Sequence, residues 1–192
     1  TEQGVVVLDI HLPDLHLPNY LLNERHMAST RSLLFSPEGN YIASGSDDGV
    51  VRIWDIPSGR KLAQLPHNGP VHTITFSFDS TYVATTAGDR TVHIWEISTY
   101  QEVAKLVHEQ MVWKVAFSMD SRYLFTLSDD RMIRVWKTIK SKQCIAFACQ
   151  GPITGIAYSV YDEILYLTAS CTDNTLWQWQ IDRRDEQRNV PC

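Results

Sequence analysis

Apolar residues along this chain fall in short runs separated by turn formers, and the runs recur. Ser36, Ser77, Ser118 and Ser159 stand 41 residues apart at every step. Trp54, Trp95 and Trp136 keep the same interval, with Trp179 following at 43, and an Asp precedes each Trp by six residues: Asp48, Asp89, Asp130 and Asp173. Ahead of each serine the apolar positions align in columns, Leu33, Ile74, Val115 and Ile156 in one and Phe35, Phe76, Phe117 and Tyr158 in another. A fixed period of this length marks a repeat array. Within the second copy, Val71, Ile74 and Phe76 mark a strand a, Tyr82 to Ala84 a strand b, Val92, Ile94 and Trp95 a strand c, and Val103, Ala104 and Leu106 a strand d. β-Branched and aromatic residues fill these runs, Phe78-Asp79-Ser80 and Gly88-Asp89-Arg90 punctuate them, and no helical period appears. Four short strands every forty residues predict an all-β fold. A single such sheet cannot bury both of its faces, so each copy must lean on the next by radial repetition.

The segments Ser36-Pro37-Glu38-Gly39, Ala43 to Gly49 (ASGSDDG) and Val51-Arg52-Ile53-Trp54-Asp55 resemble the WD40 repeat, and the resemblance runs from about residue 26 to 181. Only the first copy ends in Trp-Asp; the others read Trp95-Glu96, Trp136-Lys137 and Trp179-Gln180. The resemblance implies a WD40 β-propeller with four to four and a half four-stranded blades present, as part of a seven-bladed ring. The chain then divides into strands c and d of a preceding blade at 1–22, blade 1 at 23–66, blade 2 at 67–107, blade 3 at 108–148, blade 4 with strands a to c at 149–181, and a polar tail at 182–192. Glu2 to Ile10 aligns with Asp48 to Ile56, placing Leu8 where the Trp stands, and Leu15 to Leu22 would be the strand d that follows. The expectation is a larger propeller whose first three or so blades precede this chain. Closure of a four-bladed ring by Leu15 to Leu22, or completion by a second chain, are the alternatives.

His26, His67 and His108 share the 41-residue step, and with Ser44, Thr85 and Thr126 and with Asp48, Asp89 and Asp130 they imitate a hydrolase triad three times over. The resemblance implies instead that each set, with Trp54, Trp95 or Trp136, is a structural tetrad. A buried indole N–H needs an acceptor; the hydroxyl supplies it, the imidazole bridges, and the Asp fixes the imidazole tautomer. Three equal copies mean architecture, whereas a catalyst needs one site with an oxyanion hole and a cleft. The remaining ionisable residues, Glu109, Lys114, His93, His11 and His16, lie scattered, so no catalytic residue, cofactor site or metal site is expected. In the fourth copy Cys149 occupies the His column and two extra residues intervene before Asp173. Its hydroxyl is Thr168 or Ser170, and its tetrad is expected to be incomplete.

Family resemblance places partner contacts on the face built from the start of strand a and the b–c turn. Carried over by column, the candidates are Arg31, His72, Trp113 and Thr154 on strand a, Pro70 and Met111 just before it, and Asp47 and Asp129 in the b–c turns. These columns vary where the core columns are uniform. Strand alternation puts Val112 and Val115 inward and leaves Met111 and Trp113 outward, an apolar spot with a polar rim. The expected function is a non-catalytic scaffold or recognition module for a protein or peptide. A substrate receptor of a ubiquitin ligase, or a sensor of immune or signalling type, is the alternative.

Composition adds limits. Seventeen Lys and Arg against 22 Asp and Glu give a net charge of −5, which argues against a phosphate-backbone ligand. No run of eighteen apolar residues is present, so no membrane contact is expected. Cys144, Cys149, Cys171 and Cys192 have neither metal-ligand nor C-x-x-C spacing and suit an intracellular setting, cytoplasmic or nuclear.

Overall fold

The computed structural model describes residues 26–138 and 143–182. The strands expected within 1–22, residues 139–142 and the tail after Asp182 lie outside the described residues. Among those described there are four antiparallel sheets, fifteen strands and no helix. Blade 1 consists of β1 (Thr30–Phe35), β2 (Tyr41–Ser46), β3 (Val50–Asp55) and β4 (Lys61–Pro66). Blade 2 consists of β5 (Val71–Phe76), β6 (Tyr82–Ala87), β7 (Thr91–Glu96) and β8 (Glu102–Val107). Blade 3 follows with β9 (Val112–Phe117), β10 (Tyr123–Ser128), β11 (Met132–Lys137) and β12 (Gln143–Ala148), and blade 4 has β13 (Ile153–Tyr161), β14 (Ile164–Cys171) and β15 (Leu176–Asp182). Each strand pairs with its sequence neighbour, and adjoining blades meet along their first strands, β1 with β5 and β5 with β9.

The cores lie between sheets rather than within one. Ala43, Val51, Ile53 and Leu65 of blade 1 pack against Val71, Ile74, Phe76 and Val83 of blade 2. Ala84, Val92, Ile94 and Leu106 of blade 2 pack against Val115, Phe117 and Leu124 of blade 3. Phe125, Leu127 and Val135 of blade 3 then meet Leu165, Leu167 and Ala169 of blade 4. Successive residues of one strand, Val83 then Ala84 or Leu124 then Phe125, therefore enter different cores, which is strand alternation used on both faces. Blade 1 has the matching columns without that cover: Leu33 and Phe35 are 48% and 57% exposed, where Ile74 and Phe76 are 4% each.

The recurring serine clasps the a–b turn. Ser36, Ser77 and Ser118 accept through Oγ from the amides of Tyr41, Tyr82 and Tyr123 at 2.9–3.0 Å. Each turn also needs one left-handed residue, supplied by Gly39 in blade 1 and by Ser80 and Ser121 in blades 2 and 3. In blade 4 the two inserted residues lengthen this hairpin, and Asp162 and Glu163, at φ 47° and 61°, form the tight turn between Tyr161 and Ile164.

Gly45 marks the closest approach of blades 1 and 2. A Cβ there would stand 2.6 Å from Cγ1 of Val71 and 3.0 Å from Cδ1 of Ile74. Val71 is β-branched and buried, so it cannot swing aside. Gly45→Ala is expected to destabilise the chain by about 1–3 kcal/mol through overpacking, read as a lowered urea midpoint.

Candidate functional site

The tetrads form around a hydroxyl. In blade 2 the Thr85 hydroxyl accepts from Nε1 of Trp95 at 3.2 Å and lies 2.7 Å from Nε2 of His67. In blade 3 Thr126 repeats this with Trp136 at 2.9 Å and His108 at 2.8 Å. Nδ1 of His67 faces a carbonyl and so carries the proton of the neutral ring, which leaves Nε2 to accept from the Thr85 hydroxyl while that oxygen accepts from the indole. Burial pushes His67 down to about 4, helped by the neighbouring His93, and burial with the Arg134 charge does the same for His108. Blade 1 binds His26 to Ser44 at 2.6 Å and to Asp48 at 3.1 Å, the connectivity of a nucleophile, base and carboxylate. Yet Ser44, Thr85 and Thr126 have no exposed surface, so none of these hydroxyls can meet a substrate.

The expected link from Asp to His forms only in blade 1. His67 instead turns Nδ1 to the carbonyl of Leu65 at 3.0 Å, and His108 turns the same way, toward the carbonyl of Leu106. The carboxylates have other work. Each accepts from the amide two residues on, Val50, Thr91 or Met132, and so pins the b–c turn. Arg52 donates to Asp48 at 2.9 Å and Arg134 to Asp130 at 2.6 Å, both largely buried. Burial opposes ionisation of Asp48, but the Met27 amide, Arg52 and His26 outweigh it and hold the carboxyl at about 2. In blade 2 the same column carries His93, which is buried and not scattered as expected. It lies 2.8 Å from the Thr91 hydroxyl, which reaches Asp89, and 2.9 Å from Glu102. The sequence signal was present: Arg52, His93 and Arg134 stand two residues before each Trp at the same 41-residue step.

Blade 4 has lost the hub. The β14–β15 register sets Ala169 opposite Trp177, as Thr126 stands opposite Arg134, so the hydroxyl place belongs to Ala169 and not to Thr168 or Ser170. Cys149 keeps the histidine's backbone bond, its amide donating to Arg131 as that of His108 does to Arg90. Burial and the adjacent Cys171 push its thiol up to about 12, the reverse of a reactive thiolate. Aromatic stacking replaces the polar lock: Trp179 lies 4.6 Å from Phe147 and 6.4 Å from Trp177 between ring centroids, both near-parallel.

The face expected to bind partners is built by one repeated device. In every blade the first strand carries a β-bulge against the second, and the extra residue is Arg31, His72, Trp113 or Thr154. The bulge explains why Val112 and Val115, three apart, are both buried. It also releases the extra residue, Trp113, from strand alternation. A second repeated bond ties the b–c turn to this spot: the amides of Asp47, Gly88, Asp129 and Thr172 donate at 2.9 Å to the carbonyls of Ser29, Pro70, Met111 and Pro152. Arg31 is exposed and meets Asp47 through both nitrogen–oxygen pairs, at 2.9 and 2.7 Å. Thr154 bonds Ser170 at 2.8 Å, and Asp129 is exposed. Trp113 departs from expectation. It is half-buried and packs on the core between blades 3 and 4, while its carbonyl accepts from Thr73 of blade 2 at 3.0 Å, and Met111 beside it is also half-buried.

Paired inner bulges, hydroxyl-centred locks and sheets that share cores define a β-propeller repeat module. The chain belongs to the WD40 family: the model of the WD domain, G-beta repeat, matches residues 21–55, 59–96 and 100–137, more than half of the sequence. Blade 4, whose tetrad has lost its imidazole and hydroxyl, lies beyond those segments. Ribosome biogenesis protein ERB1 of Lodderomyces elongisporus is 46% identical over 54 residues, which is 26% of this chain and 6% of that protein, so the match spans a small part of the relative. The crystal structure of the computationally designed Ika4 protein superposes with a TM-score of 0.70 and 28% identity, over 82% of this chain and 94% of the other. The structure of U3-55K gives the same TM-score at 24% identity, covering 82% of this chain and 50% of that one.

Two outcomes follow from the tetrads. Thr126→Val keeps the volume but strands both the Trp136 indole and the His108 ring, and is expected to cost about 2 kcal/mol or more by chemical denaturation. His67 and His108 hold protons less tightly folded than unfolded, so the unfolded chain binds more protons between about pH 6.5 and 4. Stability is full above that window and lost as pH falls through it. The thermal midpoint should drop from pH 7 to pH 4, with a shallower drop in His108→Gln.

Proposed function

We propose that this chain is a non-catalytic module that holds protein or peptide partners on the face formed by the strand-a bulges and the b–c turns. The observation that carries the reading is the fourfold bulge. It presents one residue per blade with no cross-strand partner, and that residue is different each time: Arg31, His72, Trp113 and Thr154. Around them stand Asp47, Pro70, Met111 and Asp129, so the surface is polar and charged of both signs, with the half-buried Trp113 among them. The Arg31–Asp47 pair is held in place before any ligand arrives, which lowers the ordering cost of binding. A peptide carrying both a basic residue for the exposed Asp129 and an apolar side chain for Trp113 fits these groups. The fully buried hydroxyls of the tetrads support a scaffold over a hydrolase. The name of the ERB1 relative favours a large intracellular assembly as the setting.

The experiment is affinity capture from cell extract with the unaltered chain and with the combined variant Arg31→Ala, His72→Ala, Asp129→Ala. These side chains lie outside the cores, so the thermal midpoint should hold within the range of surface substitutions, about 0.5 kcal/mol each. Loss of most captured protein is expected. Undiminished capture by the folded variant would remove this face from consideration.

A further inference from the structure

The opposite end of the blades carries a second repeated feature. In the a–b turns the residue after the clasping serine is Pro37, Phe78 and Met119, and in the lengthened hairpin of blade 4 the same column gives Val160 with Tyr161 next to it. Phe78 is 48% exposed, Met119 64%, Val160 36% and Tyr161 74%. The turn itself does not ask for this. Its second position has backbone angles that suit proline, as in blade 1, and the turn bonds from Ser80 to Ser77 and from Ser121 to Ser118 are all backbone. Phe and Met there stabilise neither the turn nor a core, so folding gives no reason for them.

Single exposed apolar residues are ordinary; one per blade in three successive blades, at one end of the molecule, is a surface. The turns of blades 2 and 3 are joined directly, the amide of Asp79 donating to Oγ of Ser121 at 3.1 Å, so Phe78 and Met119 sit on touching segments. The same four connections carry five carboxylates, on Glu38, Asp79, Asp120, Asp162 and Glu163, against one guanidinium, on Arg122, and the c–d turns bonded to them at this end add Asp55 and Glu96 against Arg60 and Lys137 among the described residues. All five of those acidic residues are exposed.

We propose that this end is a second docking surface, separate from the bulge face, and that it takes an extended basic peptide segment whose apolar side chains seat on Phe78, Met119 and the Val160–Tyr161 hairpin. Its cations face the carboxylates of the turns, which fixes sign and orientation while the apolar contacts supply most of the affinity.

The test uses the whole chain and a labelled peptide of repeated Lys-Leu-Gly triplets, with a Glu-Leu-Gly peptide as control, read by fluorescence anisotropy. The basic peptide should bind and the acidic one should not. Affinity should fall about tenfold or more in Phe78→Ser with Met119→Ser, and fall further with salt and in Asp162→Asn with Glu163→Gln. It should be unchanged in the Arg31, His72 and Asp129 variant, which separates this surface from the one above. Thermal midpoints equal to that of the unaltered chain keep the comparison clean, since the altered side chains are exposed apart from the half-buried His72. Equal binding by the Phe78 and Met119 variant, equal binding of both peptides, or no binding of either would overturn the proposal. So would a concentration-dependent dimer that the double variant abolishes, or peptide binding that appears only once residues 183–192 are deleted, because each assigns the surface to another occupant.

Discussion

A four-stranded sheet built from alternating apolar residues on both faces has no stable existence alone, and this requirement governs the rest of the molecule. Val83 and Ala84 are neighbours in sequence yet belong to the cores of different blade pairs, as do Leu124 and Phe125. Burial of both faces removes any solvent side on which a polar residue could relax. Every polar group placed within a sheet must then find its partner inside the protein. The Trp–hydroxyl–imidazole arrangement follows from that condition. One threonine both donates and accepts, and so satisfies two large flat rings that would each leave an orphaned nitrogen.

The blades satisfy the condition in three different ways. Blade 1 closes its network onto Asp48 and Arg52, a charged lock whose carboxylate also holds the Met27 amide. Blades 2 and 3 centre theirs on a threonine and leave the carboxylate to the b–c turn. Blade 4 has Ala169 at the hydroxyl place and stacks Trp179 between its own Trp177 and Phe147 of blade 3. Stacked rings tolerate small rotations that a hydrogen bond does not, so the last blade holds its shape by contact area rather than by direction.

The fold was legible because period and strand pattern are properties of the sequence itself: four copies aligned in every column predict four sheets. The tetrad members were legible as columns too, but their bonding was not. Spacing places Asp89 and Asp130 near an imidazole, while the choice between imidazole and b–c turn amide depends on side-chain direction, which a column does not carry. The Arg52, His93 and Arg134 column is legible only when the three blades are aligned, since His93 taken alone is an isolated histidine. The exposure of Trp113 was misjudged for a third reason. Counting alternate residues along β9 assumes a regular strand, and the bulge at that residue breaks the count. The two-residue insertion hid the hydroxyl place of blade 4 until the β14–β15 register settled it on Ala169.

The bulge residue has no counterpart across the ladder, so its identity carries no information about alignment. Replacing it leaves the pairing of every other residue where it was. Positions 31, 72 and 154, which unlike Trp113 pack on no core, are therefore free to drift chemically while the architecture stays fixed, and the four slots hold a cation, an imidazole, an indole and a hydroxyl within one repeated backbone. A single framework can in this way acquire new specificities one slot at a time, without renegotiating how it folds.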